Sequence, residues 1–167
     1  MSTASASARV ELTAGQPAPA FSLPDQTGTI HTLSAYRGRW VLVYFYPKDD
    51  TPGCTTEACG LRDRFAKFST LKAVVLGVSA DSVKSHQKFA EKFKLPFPLL
   101  ADEQKSMVQA YGVWGEKSFM GKKYLGITRT SFLIDPQGRI AKVYPKVTPA
   151  DHPDEVLQDL AALGASR

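Results

Sequence analysis

Cys54 and Cys59 are the only thiols in the chain, and both fall in the stretch YFYPKDDTPGCTTEACG from Tyr44 to Gly60. Read as a helix start, Thr51-Pro52-Gly53-Cys54 places Thr51 at the N-cap and Pro52 at the first helical position, where its missing N–H costs nothing. Cys54 is then the third helical residue. An acidic side chain at that position reaches back to the helix start in a capping box; here the side chain is a thiol. Unpaired N–H groups and the positive end of the helix dipole favour its anion, so Cys54 is expected to have a lowered pKa and to be largely thiolate at neutral pH. The competing reading is a small packed residue on a helix that Thr-Pro merely starts. Cys59 taken alone reads more readily as helix core. What ties it to Cys54 is that both thiols share one local segment.

Metal binding is a poor match. Two cysteines and three scattered histidines (His31, His86, His152) do not make a structural zinc set, which usually takes four protein ligands. The formal net charge of +5 and pI near 9.2 come from scattered lysines and arginines, with Lys122-Lys123 the densest pair. That pattern suits a solvated basic surface and gives no polybasic block for nucleic acid. No apolar stretch can span a bilayer; the longest, Trp40 to Tyr46, has the length of a strand. The small polar start MSTASASARVEL has no positive region followed by an apolar one, so no signal peptide is expected. The expected setting is a reducing cytoplasm, where paired cysteines are more often redox residues than staples.

At 167 residues, 43% apolar, the chain is expected to form a flexible segment over 1–13 and a single domain over 14–167. Short runs around Asp25-Gln26-Thr27-Gly28 predict a β-hairpin. Arg39–Pro47 is a β-branched and aromatic run that suits a strand buried on both faces. A helix is predicted through CTTEACGLRDRFAKFST, with Leu61, Phe65 and Phe68 as its buried stripe. Then follow a buried strand (LKAVVLGVSAD), an amphipathic helix (SVKSHQKFAEKFK), a short strand or loop (LPFPLLAD) and a third helix (EQKSMVQAYGV) ending near Gly112. TRTSFLIDPQGRIAKVYP predicts a hairpin turning at Asp135-Pro136-Gln137-Gly138, and DHPDEVLQDLAALG a closing helix with acidic residues first. This alternation implies an α/β fold with a mixed central sheet covered by helices on both faces.

YFYPKDDTPGCTTEACGLRD resembles the active-site segment of peroxiredoxins, and more narrowly of the Q-type group, the bacterioferritin comigratory proteins. The family pattern Pro-x3-Thr-x2-Cys falls on Pro47, Thr51 and Cys54. Cys59 matches the resolving cysteine of the helix-borne subtype, and Arg129 in YGVWGEKSFMGKKYLGITRTSFLID matches the arginine of a second signature. The resemblance runs from about Pro17 to Leu160. It implies a thioredoxin-like fold with an N-terminal β-hairpin, reduction of hydrogen peroxide and organic hydroperoxides, a Cys54–Cys59 disulfide, and thioredoxin or a related dithiol as reductant. The implied reaction needs no metal or other cofactor, and the resemblance leans toward a monomer; the scattered charge and the lack of a spanning apolar stretch give no reason to expect a nucleic-acid or membrane partner.

Peroxide reduction needs a deprotonated sulfur, an O–O bond in line with it, and donors for the leaving oxygen. The resemblance gives Cys54 the role of nucleophile and Thr51 that of a hydroxyl beside the sulfur. Backbone N–H groups of Gly53 and Cys54 face the same space. Arg129 supplies a fixed charge, and Pro47 shields the sulfur from water. Each has a plainer reading: Arg129 as a surface charge, Pro47 as the end of a strand. Glu57 and Lys48 read as solvated residues, and Trp114 and Phe119 as packing. Two rival functions are a thioredoxin-like disulfide oxidoreductase and a redox-switched binding protein without turnover. The first would be expected to carry C-x-x-C, and this chain has C-x4-C.

Overall fold

The computed structural model describes residues 11–164. The chain runs β1 (Ser22–Pro24), β2 (Ile30–Thr32), a 3-10 helix (Leu33–Tyr36), β3 (Trp40–Phe45), α1 (Pro52–Asp63), α2 (Phe65–Thr70), β4 (Ala73–Ser79) and α3 (Val83–Phe93). It continues through β5 (Leu99–Ala101), α4 (Ser106–Ala110), β6 (Trp114–Phe119), β7 (Lys122–Ile127), β8 (Thr130–Ile134), β9 (Ile140–Tyr144) and α5 (His152–Ala162). The Ser/Ala-rich start, expected to be frayed, lies outside the described residues for positions 1–10.

The central sheet has five strands in the order β5-β4-β3-β8-β9. β3 lies in its middle, parallel to β4 and antiparallel to β8. That position explains its composition. Alternate residues of a strand point to opposite faces, and here both faces are covered. Leu42, Tyr44 and Tyr46 join a core with Ala58 and Leu61 of α1, Phe68 of α2, Phe89 of α3 and Val156 and Leu160 of α5. Val41, Val43 and Phe45 join a second core with Phe21, Leu33, Met107, Val108 and Ile134. Helices therefore cover both faces, as the sequence suggests, but unequally. Four α-helices pack on one face; short α4, the 3-10 helix and the N-terminal hairpin share the other.

Three local readings need revision. The helix expected from Cys54 to Thr70 is two helices, broken at Arg64, whose backbone (φ −110°, ψ 13°) leaves the helical region. Its guanidinium bonds the Gly60 carbonyl at 3.0 Å and Asp154 at 2.6 and 3.2 Å, which ties the break to α5. Neither proline nor glycine marks this break in the sequence, and Phe65 beyond it is only half-buried. The third helix is shorter than predicted. Buried Asp102 accepts from the Val108 amide at 2.8 Å, and Gly112 turns the chain away at φ +72°. Last, β6 and β7 form a separate antiparallel hairpin that no sequence signal suggested. Its two-residue turn is Met120-Gly121, both at positive φ, where Asn-Gly is the usual cue.

Candidate active site

β3 ends at Phe45, and the chain crosses Tyr46 to Thr51 before α1 begins. This crossover is anchored below by a buried polar cluster. Asp49 accepts from Tyr46 Oη at 2.6 Å and Ser85 Oγ at 2.8 Å, and meets His86 Nδ1 at 2.7 Å. The Asp49 amide donates to Asp81 at 2.9 Å, and His86 Nε2 donates to the Leu100 carbonyl at 2.9 Å. The loop is thus tied to α3 and to the sheet. Ligand atoms of Asp49, Asp81 and His86 lie within 4.8 Å of one another, the one such group among the described residues. The hydroxyl and amide partners just named already engage these atoms.

α1 starts at Pro52, so Cys54 occupies the third helical position. Its side chain is buried, at 1% exposure. Thr51 stands at the N-cap in extended conformation, but its hydroxyl does not cap the helix; it donates to the Lys48 carbonyl at 2.9 Å. Arg129 lies in the two-residue link between β7 and β8, whereas the sequence suggests a strand there. Its Nη2 donates to Cys54 Sγ at 3.4 Å and its Nη1 to Glu57 Oε1 at 2.9 Å. One guanidinium thus bridges the thiol and a carboxylate one helical turn away. Burial works against the Arg129 charge, but Cys54 and Glu57 outweigh it and hold the guanidinium above its ordinary value. Gly53 explains how the arginine gets so close. A Cβ at that position would sit 2.9 Å from Arg129 Nη2, so any side chain there would push the guanidinium aside.

Residues 14–143 match the AhpC/TSA family. The chain is 51% identical over 146 residues to peroxiredoxin Bcp of Escherichia coli, covering 87% of this chain and 94% of that one. It is 49% identical over 146 residues to peroxiredoxin Bcp of Bacillus subtilis, with 87% and 93% covered. The chain belongs to the AhpC/TSA family, as a peroxiredoxin. Its fold agrees with a solved structure of the Xanthomonas campestris bacterioferritin comigratory protein, studied for alkyl peroxide reduction. The TM-score is 0.84 at 42% identity, over 90% of this chain and 98% of that one. The peroxiredoxin therefore has the thioredoxin fold and is a thiol-dependent peroxidase that takes peroxide substrates and a thiol-based reductant. Among the described residues no helix is long and apolar enough to cross a membrane.

The structure brings Cys54, Gly53 and Arg129 of this peroxiredoxin together, with Thr51 at the head of the same helix. Cys59 lies further along α1, half-exposed, and both cysteines are free thiols. Pro47 lies two residues beyond β3 and is exposed, as is Lys48. Phe119, read from sequence as packing, is exposed, while Trp114 packs against the second core.

Glu57 is the residue that sequence reading misplaces. Expected in solvent, it is fully buried. Burial pushes its carboxyl up to about 7, against the lowering effect of Arg129. Its Oε2 and Tyr44 Oη are buried polar side-chain atoms without a partner. Such atoms are costly, and they gather at functional sites. Two signals were available in the sequence: Glu57 lies three residues after Cys54, hence on the same helix face, and an arginine was already assigned there.

Proposed function

We propose that Cys54 is the peroxidatic nucleophile. The observation that carries this is its buried sulfur at the start of α1, 3.4 Å from Arg129 Nη2. The Arg129 guanidinium and the first-turn N–H groups of Gly53 and Cys54 offer donors to a peroxide oxygen at the sulfur. The Thr51 proton is spent on the Lys48 carbonyl, so its oxygen is free to accept the proton of the bound hydroperoxide. The thiolate attacks the terminal oxygen of R–O–O–H. An S–O bond forms, the O–O bond breaks, and the RO⁻ leaving group takes a proton as ROH. Sulfur is oxidised by two electrons to a sulfenic acid. Pro47 limits access of water to the sulfur from the strand end.

Cys59 then attacks the sulfenic sulfur, releasing water and forming an intramolecular disulfide. Thioredoxin or a similar dithiol reduces it by exchange. We read the protein as a cytoplasmic monomer whose single domain spans 14–167.

The test mixes reduced protein with excess hydrogen peroxide, thioredoxin, its reductase and NADPH. Continuous NADPH consumption that requires both peroxide and protein, and is lost in Cys54→Ser, supports the assignment. Reduction of protein disulfides without peroxide would indicate a disulfide oxidoreductase. A single oxidation without turnover would indicate a redox-switched binding protein.

A further inference from the structure

The β6–β7 hairpin carries four of the six large apolar residues that are exposed among those described: Phe119 at 67%, Met120 at 87%, Tyr124 at 47% and Leu125 at 64%. It is a two-stranded sheet of its own, outside the central five. Phe119 pairs with Lys122, and Ser118 with Lys123, so two cations flank the apolar tip. Met120 stands at φ +52°, a conformation that favours Gly or Asn, and its side chain meets solvent. Neither backbone geometry nor packing within the chain accounts for a methionine there.

We propose that this hairpin is a membrane-surface contact that docks the protein on an anionic lipid bilayer. The tip is a tight two-residue turn on a two-stranded sheet of its own, which suits insertion into a soft interface. Phe119 and Met120 supply apolar surface at the tip, Tyr124 on the face of Phe119 an amphipathic ring for the headgroup level, and Lys122 and Lys123 the charge that meets anionic headgroups; Leu125 adds apolar surface on the other face, opposite Glu116. A second copy is a poor occupant, because Lys122 and Lys123 of both copies would face each other. The absence of a spanning segment is no obstacle, since a peripheral contact needs none. β7 leads from the tip back to the link that carries Arg129, so the tip lies a full strand length, about 20 Å, from the Cys54 site. The proposal is independent of the roles assigned to the two cysteines.

The test is cosedimentation of the reduced full chain with phosphatidylcholine vesicles, with and without phosphatidylglycerol, at low and high salt. Binding is expected only with phosphatidylglycerol and should weaken with salt. The double variant Phe119→Ser/Met120→Ser should lose binding by about tenfold or more, and Lys122→Gln/Lys123→Gln should lose the preference for anionic vesicles. Both variants should turn over hydrogen peroxide in solution like the wild type, which verifies their fold. On the wild type itself, anionic vesicles should slow amide exchange across 118–124. No vesicle binding, or binding unaffected by both double variants, overturns the proposal. So does a dimer abolished by Phe119→Ser/Met120→Ser without vesicle binding, which would give this surface to a second copy.

Discussion

Arg129 donates to Glu57 with one terminal nitrogen, at 2.9 Å, and to Cys54 with the other, at 3.4 Å. The carboxylate has no solvent exposure, so its charge is offset by the arginine and not by water. Glu57 thus fixes the direction in which the guanidinium presents its second donor. Arg129→Met should slow reaction with peroxide by about 10²-fold, the loss typical of removing one oxyanion-stabilising donor. Glu57→Gln keeps the size and a hydrogen-bond acceptor but loses the ion pair, and its loss should be smaller. Stopped-flow measurement of the first oxidation checks both. Unchanged rates in Arg129→Met would return Arg129 to an ordinary structural charge.

Glu57 also makes a prediction about stability. Its carboxyl is raised from 4.5 to about 7 in the folded protein. Between those values the native state holds a proton that the unfolded state has released. The stabilisation linked to that proton is fully present below the unfolded value and is lost as pH rises through about 7. Urea unfolding of the wild type between pH 5 and pH 8 should therefore show a loss, at most ~3 kcal/mol, that Glu57→Gln does not share. Parallel profiles in the two proteins would rule out a titrating Glu57.

The two cysteines should divide the work. Cys54→Ser should abolish peroxide reduction. Cys59→Ser should react once and stop at the sulfenic acid, or go on to the sulfinic acid, as read by the mass of the intact protein. Equal loss of the first oxidation in both variants would refute the division.

Disulfide formation must disrupt α1. Both cysteines lie in one uninterrupted helix, Pro52–Asp63. Five residues along an ideal helix separate the Cα atoms by ~8.7 Å, beyond the ~7 Å limit for a disulfide. The first turns must unwind, which would take apart the Arg129–Cys54–Glu57 arrangement and expose the bond to its reductant. Oxidised protein should lose amide-exchange protection across Thr55–Leu61 while β3 and β4 keep theirs, and its disulfide should be intramolecular on a non-reducing gel. Full protection of that segment after oxidation would separate Cys59 from Cys54.

The loop between β3 and α1 should depend on Asp49. Asp49→Ala leaves buried Tyr46 Oη and His86 Nδ1, and half-buried Ser85 Oγ, without the carboxylate that they meet. It should cost about 3 kcal/mol in denaturant unfolding. It should also depress turnover even where the protein remains folded, because the loop that it anchors carries Thr51. Activity at the wild-type level in folded Asp49→Ala would make the cluster purely structural.

What is local or periodic can be read along the chain. The apolar run of β3, the Thr-Pro start of α1, the Asp-Pro-Gln-Gly turn and the acidic start of α5 each follow from residues adjacent in the chain. Cys54 falls at a helix start for the same reason. Which distant groups meet there depends on how the chain folds back on itself. Arg129 lies 75 residues from Cys54, and no periodicity says that its link turns toward α1 and not into solvent. Glu57 looks like any polar helix residue until the fold buries its face of α1 and brings Arg129 against it. Burial then makes its charge costly, and Arg129 makes it tolerable. The Asp49–His86 contact spans 37 residues and the Arg64–Asp154 contact 90. For Glu57 and for Asp49 with His86 the deciding energy is that of desolvating a polar group against a partner brought by the fold, whereas the exposed Arg64–Asp154 pair is decided by which helices the fold sets side by side. A linear sequence fixes neither the desolvation nor the partner.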